Sequence, residues 1–212
     1  MAPAESYLDI NTNRFSRFVN LTYPDDDWHE EFTYHGANVY AYILAKWGAY
    51  IDFICIQFYE GYSHADYQIS QLNVPPATYI YDYVSRLRQN GEGYTVNFED
   101  DPDVDLTNQF IDIPMDKLVI GLANGWAVGS DKFIFIDTKD VHDAYNSLVE
   151  EGGNICPFRG FMYWVIDEEG TNDVDFASAL NKIVGVRSKT PGTSRTFGNC
   201  DARGDIKISS NK

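Results

Sequence analysis

Ile51-Asp52-Phe53-Ile54-Cys55-Ile56-Gln57-Phe58-Tyr59 is the strongest strand signal in the chain, a run of branched and aromatic side chains uninterrupted by Gly or Pro. Just before it, Val39, Ile43, Leu44 and Trp47 recur at a spacing that gathers them on one face of a helix. Just after it, Pro75-Pro76 opens a second helical stretch through Tyr79, Ile80, Tyr83, Val84 and Leu87, which Asn90-Gly91 is expected to end. A helix feeding a buried strand that is followed by a helix is the repeating unit of an α/β fold.

The unit recurs toward the C-terminus. Lys117-Leu118-Val119-Ile120-Gly121-Leu122 reads as a second buried strand, and Thr138 to Glu151 as a helix with a cap at Asp137 or Thr138 and a stop at Gly152-Gly153. Gly160-Phe161-Met162-Tyr163-Trp164-Val165-Ile166-Asp167 is the third clear strand. Asp173 to Val184 then forms a closing amphipathic helix with Val174, Ala177, Leu180 and Ile183 inward. The fold class expected is α/β, with a parallel sheet and helices on its faces. Beyond Arg187 the apolar pattern fades, so the expected organisation is one domain over residues 1–186 and a flexible polar tail over 187–212. Arg203-Gly204-Asp205 in that tail reads as a chance triplet.

Composition narrows the functional classes. Of 212 residues, 44% are hydrophobic and 15% aromatic, which suits a packed globular domain. Thirty-two acidic against sixteen basic residues leave a formal charge of −16, so nucleic acid and anionic membrane surfaces are poor partners. Abundant carboxylates and aromatic rings suit a neutral sugar better, because rings cover pyranose faces while carboxylates and amides take the hydroxyls. No apolar run approaches the roughly 20 residues a bilayer-spanning helix needs, and no secretory leader is recognisable, so the chain reads as soluble.

Cys55, Cys156 and Cys200 cannot all pair with one another and do not decide a redox compartment. Asn20-Leu21-Thr22 fits the N-glycosylation pattern, which matters only in a secreted chain. His29, His35, His64 and His142 lack zinc-type spacing. Asp101, Asp103 and Asp105 alternate as in a calcium loop, but Leu106 stands where the sharp turn needs Gly and no Glu closes the loop. No metal and no cofactor are expected.

Three strand ends, taken in order, carry a family signature: Gln57-Phe58-Tyr59, Leu118-Val119-Ile120-Gly121-Leu122, and Arg159-Gly160-Phe161-Met162-Tyr163-Trp164-Val165-Ile166-Asp167. They resemble strands six, seven and eight of glycoside hydrolase family 18, the chitinase family, and Met1-Ala2-Pro3-Ala4-Glu5-Ser6-Tyr7 looks like the end of its fifth strand. The resemblance covers about residues 1 to 185 and implies a partial TIM (β/α)₈ barrel, strands five to eight with their helices. In such barrels the ligand site lies at the C-terminal ends of the strands. The resemblance makes Tyr59 the residue that holds the substrate's acetamide, with Gln57 beside it and Trp164 as the floor of the central sugar subsite. Glu5, Trp126 and Met162 complete the expected substrate-binding set. The implied partners are chitin or N-acetylglucosamine oligomers, and the family implies an extracellular location.

The family's proton donor sits in an Asp-x-x-Asp-x-Asp-x-Glu segment on the fourth strand, where the substrate's own N-acetyl group serves as nucleophile, a departure from the two-carboxylate scheme. Asp100-Asp101-Pro102-Asp103-Val104-Asp105-Leu106-Thr107 has the aspartate spacing but ends in Thr, which cannot be that acid, and it follows the sixth strand rather than preceding the fifth. It reads as an acidic surface loop. The expectation is therefore a segment that receives the sugar and is inactive alone, or else a non-catalytic, lectin-like binder. Half a barrel would leave two sheet edges open. A fragment of a longer enzyme, an intrinsically open domain, and a dimer of two halves each resolve that, and the first is the expected one.

Overall fold

A computed structural model of the chain describes residues 1–16, 38–61, 63–88, 93–152 and 156–185. The Asn20-Leu21-Thr22 triplet, His29, His35, Asn90-Gly91, Cys200, Arg203-Gly204-Asp205 and the expected tail lie outside these residues.

Helix α1 (Val39–Trp47) leads into strand β1 (Ile54–Gln57), followed by a short turn of helix α2 (His64–Asp66) and by α3 (Pro76–Leu87). Next come β2 (Tyr94–Val96), β3 (Gln109–Ile111) and β4 (Leu118–Ala123), then α4 (Thr138–Glu151), β5 (Gly160–Trp164) and α5 (Phe176–Gly185). β1, β4 and β5 form a parallel sheet in that order, with Cys55 opposite Val119, Ala123 opposite Trp164 and no crossing between neighbours. The N-terminal residues extend the sheet on the β1 side. Cys55 N–H donates to Met1 O at 2.8 Å, Gln57 N–H donates to Pro3 O at 2.9 Å, and Ala4 bridges Gln57 in parallel. The α/β class and the sequential parallel order expected from sequence are thus present.

Each parallel strand is joined to the next through a connection that includes a helix, because the chain must return to the starting edge before running the same way again. α3 carries Tyr79, Ile80, Tyr83, Val84 and Leu87 on one buried face, and α4 carries Val141, Ala144, Tyr145, Leu148 and Val149. Both faces join Ile54, Ile56, Phe58, Leu118, Ile120 and Leu122 from the sheet in one core. Phe58 meets the rings of Tyr79 and Tyr83 edge-on, at centroid distances of 6.1 and 5.0 Å. Arg88, at the end of α3 and only 5% exposed, reaches Leu148 O and the Glu151 carboxylate, tying α3 to α4 through a charge pair that needs both partners.

The elements differ from expectation mainly at their ends. β1 keeps only Ile54–Gln57 of the apolar run. α5 begins at Phe176 rather than Asp173, since Asn172 and Asp173 take positive φ (55° and 59°) and Asp175 caps the helix by accepting from Ser178 N–H at 3.1 Å. β2 and β3 form an antiparallel ribbon that was not anticipated. The Asp100–Asp105 stretch is its connecting loop, where Asp100 accepts from Asn97 Nδ2 and Asp101 from Asp103 N–H. Among the described residues no helix is long and apolar enough to cross a membrane.

Candidate functional site

Successive residues of a strand point to opposite faces, so β1, β4 and β5 each present a second set of side chains away from the helices. Cys55 and Gln57, Val119, Gly121 and Ala123, and Met162 and Trp164 make up that face. Toward the strands' C-terminal ends it turns aromatic. Tyr59, Ala123 and Ala127 form a small buried cluster against which Trp126, Phe133, Phe135 and Met162 pack. Trp126 crosses Phe133 edge-on at 4.9 Å, and Trp164 stands at the open end of the face with 56% of its surface exposed.

The middle of the face is flat because of Gly121. A Cβ there would lie 2.9 Å from Ile56 O and 3.1 Å from both Cys55 Sγ and Met162 Cε, so only glycine lets β1 and β5 side chains close over β4. Below it Cys55 is a free, buried thiol whose pKa burial pushes up to about 11, which keeps it protonated and inert at neutral pH. Gln57 donates from Nε2 to Ala2 O at 3.0 Å, so its amide also holds the N-terminal strand.

The turn after β4 fixes the turn after β5. Asn124, fully buried, donates from Nδ2 to Val165 O at 2.9 Å and accepts from Val165 N–H at 3.1 Å. The same Nδ2 lies 3.3 Å from Glu169 Oε2, and Glu169 in turn accepts from Ala177 N–H at 2.7 Å in the first turn of α5. Trp164 O receives two donors, Asn124 N–H at 3.2 Å and Trp126 Nε1 at 2.5 Å. With its one donor committed to the Trp164 backbone, Trp126 offers a bound molecule only its ring.

The structure therefore brings together Gln57, Tyr59, Trp126, Met162 and Trp164 at one end and on one face of the sheet, and it separates Glu5 from them. Glu5 is fully buried, accepts from the Tyr79 hydroxyl of α3, and leaves Oε2 without a hydrogen-bond partner among the described residues. Tyr79 touches Phe58, which belongs to the helix-facing side, so Glu5 points into the core rather than toward Trp164. Around it lie His64, whose Nε2 is 3.3 Å from Asp9 Oδ2, and Tyr83, whose hydroxyl donates to Leu8 O at 2.8 Å. Burial drives the Glu5 carboxyl pKa up, against the opposing pull of the His64 charge and the Tyr79 hydrogen bond. Burial, reinforced by Glu5, raises the Tyr79 and Tyr83 hydroxyls well above the usual tyrosine value.

Sequence reasoning passed over this polar knot and the Asn124 clamp. His64, Asp9 and Tyr79 are far apart in the chain, and no spacing rule joins them. Asn124 had one available signal, a polar residue directly after a run of buried strand residues. No protein-family model and no curated protein matches this chain.

Proposed function

We propose that the chain forms the sugar-receiving side of a chitinase-like glycoside hydrolase of family 18, that is, strands five to eight of a (β/α)₈ barrel acting on β-1,4-linked N-acetylglucosamine. The single observation that carries the reading is the convergence of Gln57, Tyr59, Trp126, Met162 and Trp164 at the C-terminal ends of sequential parallel strands. That end of a parallel sheet is where barrels bind their ligands. An exposed tryptophan at the rim of a cluster that holds a tyrosine and a methionine suits the apolar face of a pyranose, whose burial against a rigid ring costs little conformational entropy.

In this reading Trp164 forms the floor of the central subsite, Tyr59 and Gln57 lie beside the acetamide, and Trp126 adds a stacking wall. Glu5, buried beneath α3, serves the fold and not the sugar. The Asp-x-x-Asp-x-Asp-x-Glu acid is not in this sequence, so bond cleavage depends on a carboxylic acid from elsewhere, and the 212-residue chain binds without turnover.

A second reading, a non-catalytic chitooligosaccharide-binding protein, is favoured by that same missing Glu. Titration calorimetry with N-acetylglucosamine oligomers tests what the two share: binding by the chain, lost in Trp164→Ala, is expected, and a folded chain without binding heat overturns both. Release of reducing ends from an N-acetylglucosamine oligomer by the purified chain would overturn the assignment of the acid to another segment. Binding restored to turnover by adding a barrel half that carries the acid motif favours the first reading over the second.

A further inference from the structure

Trp164 is more than half exposed, so packing alone does not set the direction of its ring. Its backbone, by contrast, is held on both sides of the side chain. The Asn124 carboxamide meets both backbone groups of the next residue, giving its N–H to Val165 O and taking Val165 N–H on Oδ1, while Asn124 N–H and Trp126 Nε1 both end on Trp164 O. Asn124 itself is fully buried in a turn that cannot shift. A Cβ at Gly125 would overlap Thr171 O, and Asn172 Nδ2 donates to Gly125 O at 2.8 Å. Glu169 closes the arrangement by holding Asn124 Nδ2 with one oxygen and the first turn of α5 with the other.

From this geometry we infer that Asn124 is the positioning residue of the site: it fixes the Trp164 ring by holding the backbone N–H and C=O of Val165 with its side-chain amide, and Glu169 fixes Asn124. This assignment rests on the sugar-binding reading for its functional meaning, but the geometric claim stands apart from it. Asn124 touches no ligand in this scheme and acts only through Trp164. An amide is needed because both a donor and an acceptor must face the C=O and N–H of one residue, which neither a carboxylate nor a hydrocarbon supplies.

The test uses the whole 212-residue chain labelled with ¹⁵N at its four tryptophans, with indole N–H signals assigned by single Trp→Phe changes. Asn124→Asp keeps the acceptor and loses the donor, and Asn124→Leu loses both. In the first the Trp126 and Trp164 signals are expected to move or broaden while that of Trp47, on α1, stays in place. In the second the change is larger. Calorimetry with the N-acetylglucosamine tetramer is expected to give about a tenfold weaker affinity for Asn124→Asp, the order of one lost charge-free hydrogen-bond pair.

A merely structural role would lower stability without moving the Trp164 signal of the folded fraction, and wild-type Trp126 and Trp164 signals in Asn124→Asp would overturn the inference. Should both Asn124 variants unfold, as a moved Trp47 signal would reveal, Glu169→Ala carries the test: it leaves the Asn124 clamp on Val165 but removes its anchor, and a smaller shift of the same two signals is expected. Unchanged signals there overturn the inference as well. If the wild-type chain gives no heat with the tetramer, the sugar-binding reading fails while the indole pattern still decides whether Asn124 positions Trp164.

Discussion

The two faces of the parallel sheet are made from alternate residues of the same three strands, and they meet opposite surroundings. On the helix-facing side Ile54, Ile56, Phe58, Leu118 and Ile120 are completely buried beneath α3 and α4. On the other side burial is uneven: Cys55, Val119, Ala123 and Tyr59 are buried, while Trp164 at the end of β5 is 56% exposed. One face is thus occupied by the fold, and the other ends, at the tip of β5, in an exposed indole beside a buried tyrosine and alanine cluster.

Phe58→Ala attacks the filled face and is expected to produce the largest loss. It empties the space between Tyr79 and Tyr83, and a buried Phe→Ala change costs about 3–5 kcal/mol. Urea unfolding would measure it, and a loss under about 1 kcal/mol would mean that the helix-facing core is not continuous as described. Gly121→Ala attacks the open face from beneath. Its methyl must displace Met162 or strain β1 at Ile56 O, at an expected cost of about 1–3 kcal/mol together with a shifted Trp126 fluorescence. Tolerance of alanine would show that β1 and β5 do not close over β4 at that point.

Glu5→Gln asks what the buried carboxyl does. Because burial raises the folded-state pKa of Glu5 above its ordinary 4.5, the folded chain holds that proton more tightly than the unfolded chain. Its contribution to stability is complete below about pH 4.5 and is lost as the pH rises through the folded-state value. Gln, which never ionises, should remove this decline. The difference in unfolding free energy between variant and wild type should therefore move in favour of the variant as the pH rises from 4 toward neutrality. A difference independent of pH would mean that His64 and the Tyr79 hydroxyl already compensate the charge.

What the sequence disclosed and what it concealed follow from the range of the forces involved. The order of helices and parallel strands was readable because periodicity is local: the spacing of Tyr79, Ile80, Tyr83 and Val84 on α3 carries its own direction of burial. The shared face of Tyr59, Met162 and Trp164 was readable because alternation along a strand is equally local once the register is sequential. The misplaced member was Glu5. A residue just past a strand end escapes the alternation rule, and its direction was set by Tyr79, which lies 74 positions away. The β2–β3 ribbon escaped because three-residue strands such as Tyr94–Val96 fall below the length at which alternation can be distinguished from chance. Asn124 was visible only as a polar residue after a buried strand, since its meaning lies in backbone groups 41 residues downstream.

The smallest effect on stability is expected from the largest side chain on the open face. Trp164→Ala removes an indole that is more than half in water and leaves both hydrogen bonds to Trp164 O in place, because those bonds belong to the backbone. The unfolding free energy should change by about 1 kcal/mol or less. Phe58→Ala deletes a smaller ring from the same sheet and should cost several times more. The ratio between the two is the sharpest measure of how differently the faces are used. A Trp164→Ala loss as large as that of Phe58→Ala would mean that the indole is a core residue, and the aromatic shelf would then be closed to a sugar. A near-silent Trp164→Ala that also abolishes N-acetylglucosamine oligomer binding would mark the ring as retained for a ligand, since nothing in the fold depends on it.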